Sequence, residues 1–514
     1  MTCPPTGHRE PRASGVGSPL LRKILWHGPD LEPMSDWRDA LERARRNMTG
    51  RRAVGRSRRL LALLVGALAI TLAGCDWVTL GYSSARTGYN VAESTIAPGN
   101  ASALREAWRA TIGVGPSDQS AATWSPVVGS NRVLVGSQDG VLRAFDKHGT
   151  TGCSGSPKIC QPLWTAIVGG EPLTPSVVGG TVYVTANSTL YAFDVGGTAN
   201  CSGVPKTCRP LWSASPAIDS PVVGNGVLYV STGSTIAAFD AAGSTGCSGV
   251  PKTCQPLWSS QPAGCVGVGT ECRFSAPSLA NGKMYAIWAG NFELGQAYLQ
   301  AFDAAGVTGC SGVPRRCSPL WQVFIRGNKP APAPTISAGR VFVLANFVDV
   351  ASGGQPGAWL AAHDANTGAL VWDSQFFGTF AYPPVVANGR LYVSAGRVRV
   401  FDATGTQGCA PHGATRRCSG LFDIADFGIP GTAAVANGVL YDGSGPFSIE
   451  GTNTPAAVRA YDIATLTAVC GQFGACAPVW TTSALGGTTS APVVSDGGVY
   501  VASAEGMLHA YRLP

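Results

Sequence analysis

Four copies of one twelve-residue phrase, Cys-Ser-Gly-x-Pro-basic-x-Cys-x-Pro-Leu-Trp, occupy positions 153–164, 201–212, 247–258 and 310–321. A short apolar run ending in Phe-Asp stands before each copy: Phe145-Asp146, Phe193-Asp194, Phe239-Asp240 and Phe302-Asp303. Earlier still comes a Pro-Val-Val-like run, as at Pro126-Val127-Val128 and Pro221-Val222-Val223. A unit recurring every few tens of residues cannot bury its apolar face alone. It must stack on its neighbours, so the chain is a repeat protein.

Each unit reads as four short strands. Val222-Val223 opens one, and Asn225-Gly226 turns it back into Val227-Leu228-Tyr229-Val230. Asn-Gly between apolar runs marks a tight hairpin, because both residues accept positive φ. It recurs at Asn281-Gly282, Asn388-Gly389 and Asn437-Gly438. Ile236-Ala237-Ala238-Phe239 gives the third strand and Leu257-Trp258 the fourth. The period predicts an all-β propeller of four-stranded antiparallel blades. Fourth-strand aromatics (Trp108, Trp164, Trp212, Trp258, Trp321, Trp372, Phe422, Trp480) and first strands (Pro126, Val177, Pro221, Pro277, Pro334, Pro384, Ala434, Pro492) both count eight. Trp108 precedes every first strand, and the run at Pro492 has no Trp after it. The last blade is therefore expected to borrow its fourth strand from 104–112, which closes the ring and removes open sheet edges. The propeller is expected to span 104–514, with 76–103 as a lead-in.

Ala362-His363-Asp364-Ala365-Asn366-Thr367-Gly368-Ala369-Leu370-Val371-Trp372 resembles the Ala-x-Asp-x-x-Thr-Gly-x-x-x-Trp repeat of pyrroloquinoline-quinone (PQQ) propellers. Other blades replace Thr-Gly with the cysteine phrase but keep the Asp and the Trp. Ser84-Ala85-Arg86-Thr87-Gly88-Tyr89-Asn90 resembles the lead-in of bacterial PQQ-like repeat lipoproteins. Arg51-Arg52 and Arg56-Ser57-Arg58-Arg59 precede an apolar run over 60–70 that ends in Leu72-Ala73-Gly74-Cys75. The run is too short to span a bilayer and reads as an export signal over 48–75. Its ending resembles the bacterial lipobox, which implies a lipid on Cys75. Residues 1–47 fit an over-extended start or a disordered tail, Met48 being a more ordinary beginning.

Cysteine usage agrees with export. Setting aside Cys3 and Cys75, the other fourteen of the sixteen cysteines fall into local pairs: Cys153/Cys160, Cys201/Cys208, Cys247/Cys254, Cys265/Cys272, Cys310/Cys317, Cys409/Cys418 and Cys470/Cys476. With no Cys-x-x-Cys and no His at ligand spacing, disulfides in an oxidising compartment are expected and a metal is not. The chain carries 37 Lys and Arg against 30 Asp and Glu. The first 75 residues hold 13 and 6 of these, which leaves 24 of each beyond Cys75. A neutral propeller argues against a nucleic-acid partner.

Seven Asp residues close third strands: Asp146, Asp194, Asp240, Asp303, Asp364, Asp402 and Asp462. One per blade at the same place reads as a turn device rather than a calcium ring. The Trp series reads as wedges between blades. Most cysteine pairs fall in third-to-fourth loops, on the face shared with first-to-second turns. Long insertions at 261–273, 289–296, 348–357 and 443–454 fall on the other face, with Phe376, Phe380 and Tyr382 between blades. Trp124 and Phe274, just before first strands, are expected at the mouth of the central funnel. Function favours loops on a rigid scaffold, so Trp124, Phe274, Phe376, Phe380 and Tyr382 form the candidate partner or ligand surface.

The expected function is a monomeric, non-catalytic binding or assembly scaffold, extracytoplasmic and tethered through Cys75, with a protein or envelope polymer as partner and no cofactor. The alternative is a PQQ-dependent quinoprotein dehydrogenase with calcium. That family stacks its quinone on an adjacent Cys-Cys disulfide, and no two cysteines here are adjacent.

Overall fold

The computed structural model describes residues 76–113, 125–261, 273–289, 296–326, 332–349, 355–377, 383–394, 398–424, 433–443, 445, 447–449, 452–466, 476–487 and 489–514. They form eight blade sheets around an axis, numbered here as blades 1 to 8 from Val127 onward, and one further two-stranded sheet. First strands are Val127–Gly129, Ser176–Val178, Val222–Gly224, Ser278–Ala280, Thr335–Ser337, Val385–Ala387, Ala434–Ala436 and Val493–Ser495. Blade 3 is representative: Val222–Gly224, Val227–Ser231, Ile236–Asp240 and Trp258–Ser260 pair antiparallel in that order. Its first turn has Asn225 at φ +53° and Gly226 at +77°, the two positive values a tight hairpin demands.

The ring closes as expected. Arg105–Thr111 pairs antiparallel with Met507–Arg512 as the fourth strand of blade 8, with Trp108 opposite Ala510. Fourth-strand rings wedge between blades: Trp108, Trp164, Trp212, Trp258 and Trp372 are all buried. Trp164 packs at 6.4 Å against Phe193 of blade 2, and its Nε1 donates to Val195 O. A second-strand tyrosine makes the same reach. Tyr183 Oη donates to Ala241 O, Tyr229 to Ala304 O, Tyr285 to Ala365 O and Tyr500 to Lys147 O, each one blade ahead. Burial raises these phenols, Tyr285 to about 12, so all stay protonated donors.

The aspartates are turn devices. Asp194 accepts the N–H groups of Gly196, Thr198 and Ala199 across its own third-to-fourth turn. Asp240, Asp303 and Asp402 repeat the arrangement.

The cysteine phrase builds something that four-stranded blades do not contain. Each copy folds as a small hairpin that leaves its own blade and pairs with the outer edge of the blade before. The hairpin closed by Cys201 and Cys208 aligns Thr207 parallel with Thr165 of blade 1. Those closed by Cys247/Cys254 and Cys310/Cys317 sit likewise on Ser213 of blade 2 and Ser259 of blade 3. Cys153/Cys160 clasps Trp108 and Arg109 of blade 8, and Cys409/Cys418 clasps Trp372 and Asp373 of blade 5. These five sheets are therefore six-stranded. The phrase is a clasp on the outer rim, rather than a staple confined to one face.

Candidate functional surfaces

The axis of the ring is occupied by the lead-in. In fourteen residues it touches the inner edge of every blade, in ring order except for blade 3. Val128 N donates to Trp77 O, Val177 N to Val78 O, Leu279 N to Ser84 O, Ile336 N to Ala85 O, Val386 N to Thr87 O and Val435 N to Gly88 O. Blade 3 is reached by Arg86 Nη2 on Ser220 O, and blade 8 by Asn90 Nδ2 on Val494 O. Tyr89–Asn90 also pairs parallel with Ala434–Ala436. The stretch resembling a lipoprotein lead-in is thus the hub of the propeller.

Arg86 is its centre. The side chain is 1% exposed, and Nε and Nη1 donate to Pro277 O (2.9 Å) and Leu80 O (3.3 Å). Desolvation lowers the guanidinium to about 10, which still leaves it charged at neutrality. The planar fork reaches three carbonyls, a geometry lysine cannot copy. Gly88, at φ +64°, lies where a Cβ would come within 2.7 Å of Val385 Cγ2. Arg86-Thr87-Gly88 is therefore fixed by fit as well as by bonding.

Both ends of the hub segment lie on the face of the first-to-second turns. Asp76 accepts from Ser130 N in the blade 1 turn and pairs with Lys147 Nζ at 3.4 Å. Lys147, itself buried, also pairs with Asp496 of blade 8 at 3.2 Å. At the other end Asn437 Nδ2 donates to Ile96 O, and Gly497 N to Glu93 Oε2. The chain then crosses to the rim, where Trp480 Nε1 donates to Leu104 O, and enters the closing strand.

On the opposite face the expected insertions are partly strand. Arg340–Asp349 and Gln355–Asp364 pair without a break to Asp349 opposite Gln355. Val348, Asp349 and residues 355–357 of the segment expected as a loop are thus strand in a long hairpin; 350–354 lie outside the described residues. Phe447–Ile449 and Thr452–Thr454 form a smaller hairpin on blade 7. Phe274 lies on a two-residue strand beside Trp288, fully buried, with its ring edge-on to Phe302 at 6.4 Å. It is a core residue and offers no surface, because the strand turns its side chain in between blades 3 and 4. Phe376 stands opposite Ala358 in the blade 5 ladder. Its side chain, with Trp124, Phe380 and Tyr382, lies outside the described residues.

Five expected disulfides are formed: Cys153–Cys160, Cys201–Cys208, Cys247–Cys254, Cys310–Cys317 and Cys409–Cys418. Cys476 is also disulfide-bonded, while Cys470, Cys265, Cys272 and Cys75 lie outside the described residues. Bridges at this density belong to an oxidising compartment. The basic residue of each clasp, whose role the spacing did not reveal, folds back onto the turn glycine. Lys158, Lys206 and Lys252 donate to Gly149, Gly197 and Gly243 O, and Arg315 to Gly306 O.

The described disulfides close hairpins on the rim, the wedge tryptophans are sealed between blades, and the hub segment fills the inner edges. Among the described residues no group of three or more His, Cys, Asp or Glu could hold a metal ion, and no helix is long and apolar enough to cross a membrane.

The family described as "Outer membrane protein assembly factor BamB" matches residues 314–414, from the clasp seated on blade 3 to the one seated on blade 5. The chain is an eight-bladed PQQ-like repeat propeller. The quinohemoprotein alcohol dehydrogenase ADHIIG from Pseudomonas putida HK5 shares this fold at TM-score 0.54 and 13% identity, over 86% of this chain and 80% of that one. A europium-containing methanol dehydrogenase does so at 0.53 and 14%, over 86% and 98%. BamB from Moraxella catarrhalis aligns at 14% identity over 79% of this chain and 85% of that one, with a TM-score of 0.38. Identities this low speak to fold alone. No curated protein sequence matches the chain.

Proposed function

We propose that this PQQ-like propeller is a non-catalytic, extracytoplasmic scaffold, held to a membrane by a lipid on Cys75 and presenting its insertion-bearing face outward. The observation that carries the reading is the position of Asp76. It is bonded at the hub of the turn face, beside Ser130 and Lys147. A tether at the preceding residue is one Cα step of about 3.8 Å away, so it leaves from that face and turns the opposite face, with its extended blade 5 hairpin, to the surroundings. The disulfides suit such a location. The match to an assembly-factor family over 314–414 supports a scaffold role.

Cell fractionation tests the tether. Cys75→Ala is expected to move the protein from membrane to soluble fraction with its unfolding curve unchanged. A variant still membrane-bound after a salt wash would defeat the lipoprotein assignment. Addition of PQQ and calcium to the purified protein is expected to give no alcohol oxidation, and quinone-dependent turnover would defeat the scaffold reading.

A further inference from the structure

The clasps reveal an open place on the rim. Blade 5 keeps the short Asn366-Thr367-Gly368 turn instead of a clasp; the turn meets blade 4 through Tyr285 and Lys283, but among the described residues it sends no strand back to the blade 4 edge. The fourth strand of blade 4, Trp321–Arg326, ends its sheet, and among the described residues no strand pairs with its outer side. Two other described edges lack a clasp. At blade 6 only Cys476 of the Cys470/Cys476 pair lies among the described residues, packed in the cluster of Val398, Val400 and Ile424, and the blade 7 edge is only Trp480–Thr481. The blade 4 edge is six residues long.

The clasped blades show what such an edge accepts. Thr165 N donates to Lys206 O at 2.9 Å, and Ser213 N to Lys252 O and Ser259 N to Arg315 O at 3.0 Å each. Gln261 N, two residues beyond Ser259, donates to Cys317 O. Gln322 holds the same register in blade 4, opposite Gln300 as Thr165 is opposite Arg143. The N–H groups of Gln322 and Phe324 therefore point outward. Two further features mark the site. Trp321 is only half-buried, whereas Trp108, Trp164, Trp212, Trp258 and Trp372, which carry clasps, are 0–2% exposed. Phe324 is 56% exposed and caps an aromatic row, edge-on to Tyr298 at 5.8 Å, which in turn meets Trp288 at 5.6 Å.

We propose that the outer edge of Trp321–Arg326 is a strand-addition site that takes an extended segment of a partner polypeptide, parallel to the edge as the clasps are, with an apolar side chain of that segment laid over Phe324. Main-chain bonds from Gln322 and Phe324 supply affinity, and the aromatic contact supplies selectivity. Long exposed edges are otherwise a pairing hazard, and this chain covers the equivalent edge on five blades. The site deepens the scaffold reading by naming the chemistry of what is gripped, and it does not depend on the tether.

The probe is an oxidised synthetic peptide with the Cys247–Cys254 clasp sequence, added to the purified full chain and followed by amide hydrogen exchange. Without peptide, Gln322 and Phe324 are expected to exchange at least about tenfold faster than Thr165 and Ser213, whose amides are paired. Peptide is expected to slow Gln322 and Phe324 and to leave Ser213 unchanged. Phe324→Asp, at an exposed position, is expected to abolish the slowing while the unfolding curve stays as in the parent. Gln322→Pro removes an outward N–H and is expected to do the same. Exchange at Gln322 already as slow as at Ser213 in the free chain would overturn the proposal, as would peptide protection that survives both substitutions. Loss of membrane attachment in Cys75→Ala with this exchange pattern intact would sink the tether and leave the edge site standing.

Discussion

Arg86→Met is expected to loosen the hub and lower the stability of the whole ring. Methionine keeps an unbranched apolar stem but is shorter, and it removes the fork that holds Pro277 O, Leu80 O and Ser220 O. It also relieves the cost of burying a guanidinium, so the loss is smaller than three charged hydrogen bonds would suggest. Three carbonyls left without donors in a water-poor site cost roughly 1 kcal/mol or more each, for a net loss of about 3 kcal/mol. At about 2.1 cal/mol/K of unfolding entropy per residue, a propeller spanning 76–514 has roughly 0.9 kcal/mol/K, so Tm is expected to fall by about 3 °C. Calorimetry measures this, and limited proteolysis should cut within 76–90 in the variant before it cuts in the parent. Arg86→Lys keeps the charge but not the fork and is expected to lose nearly as much. An unchanged Tm and an unchanged cleavage pattern in Arg86→Met would refute the hub. A lysine variant as stable as the parent would show that charge, not geometry, is what the axis needs.

Gly243 stands at φ +63°, and a Cβ there would overlap Trp212 Cδ1 of the preceding blade, so Gly243→Ala is expected to cost about 2–4 kcal/mol through combined strain and displacement of the wedge. Gly226→Ala, at φ +77° with nothing within 4 Å, should cost only the conformational part, about 1–2 kcal/mol; equal losses in denaturant titrations would show that the wedge is not the constraint. For Asp194 and Asp240, partial burial pushes the carboxyl up. The side-chain and N–H donors of Thr198, Ala199 and Gly196, and of Ser244, Thr245 and Ala242, outweigh it and hold both at about 2. Folded values below the unfolded value of about 3.9 mean that the stabilisation is complete above that value and is lost as pH falls towards 2. Amide exchange at Thr198, Ala199, Ser244 and Thr245 should accelerate relative to strand amides in that window, and constant ratios down to pH 2 would refute the role given to these carboxylates.

Much of this architecture is written in the chain because its signals are periodic and local. Eight blades, the borrowed closing strand, the Asp turns and the Trp wedges all follow from residues that act within one blade or on its neighbour. The clasps were legible as disulfides but not as rim strands. Each contributes only a few paired residues, too short for an alternation that would declare a strand. The hub was legible only through a resemblance, because 76–90 is bonded almost entirely through its carbonyls, and a carbonyl leaves no mark on residue choice. Asp76, Arg86, Gly88 and Asn90 are exceptions, fixed by side-chain bonds or, at Gly88, by a missing Cβ. Phe274 misled for the opposite reason. An aromatic just before an inner strand has the same spacing whether it faces the funnel or, as here, Phe302.

The clasps and the hub together explain why the bridges recur where they do. A clasp is covalently closed within one blade yet hydrogen-bonded to another, so a bridge that is local in sequence acts between blades. In the chain-entropy account, closing a ring this small contributes about 2–3 kcal/mol, and most of that goes into prepaying the order of a hairpin too short to persist alone. The hub ties every blade at the inner radius, and the clasps tie blades 8, 1, 2, 3 and 5 to their successors at the outer one. Reduction should therefore free the rim while the hub holds the ring, exposing at five more blades the kind of edge that blade 4 already offers. If strand addition at Trp321–Arg326 is how a partner is held, oxidised clasps close five competing edges of the same register. In this design the disulfides contribute to selectivity by closing the competing sites.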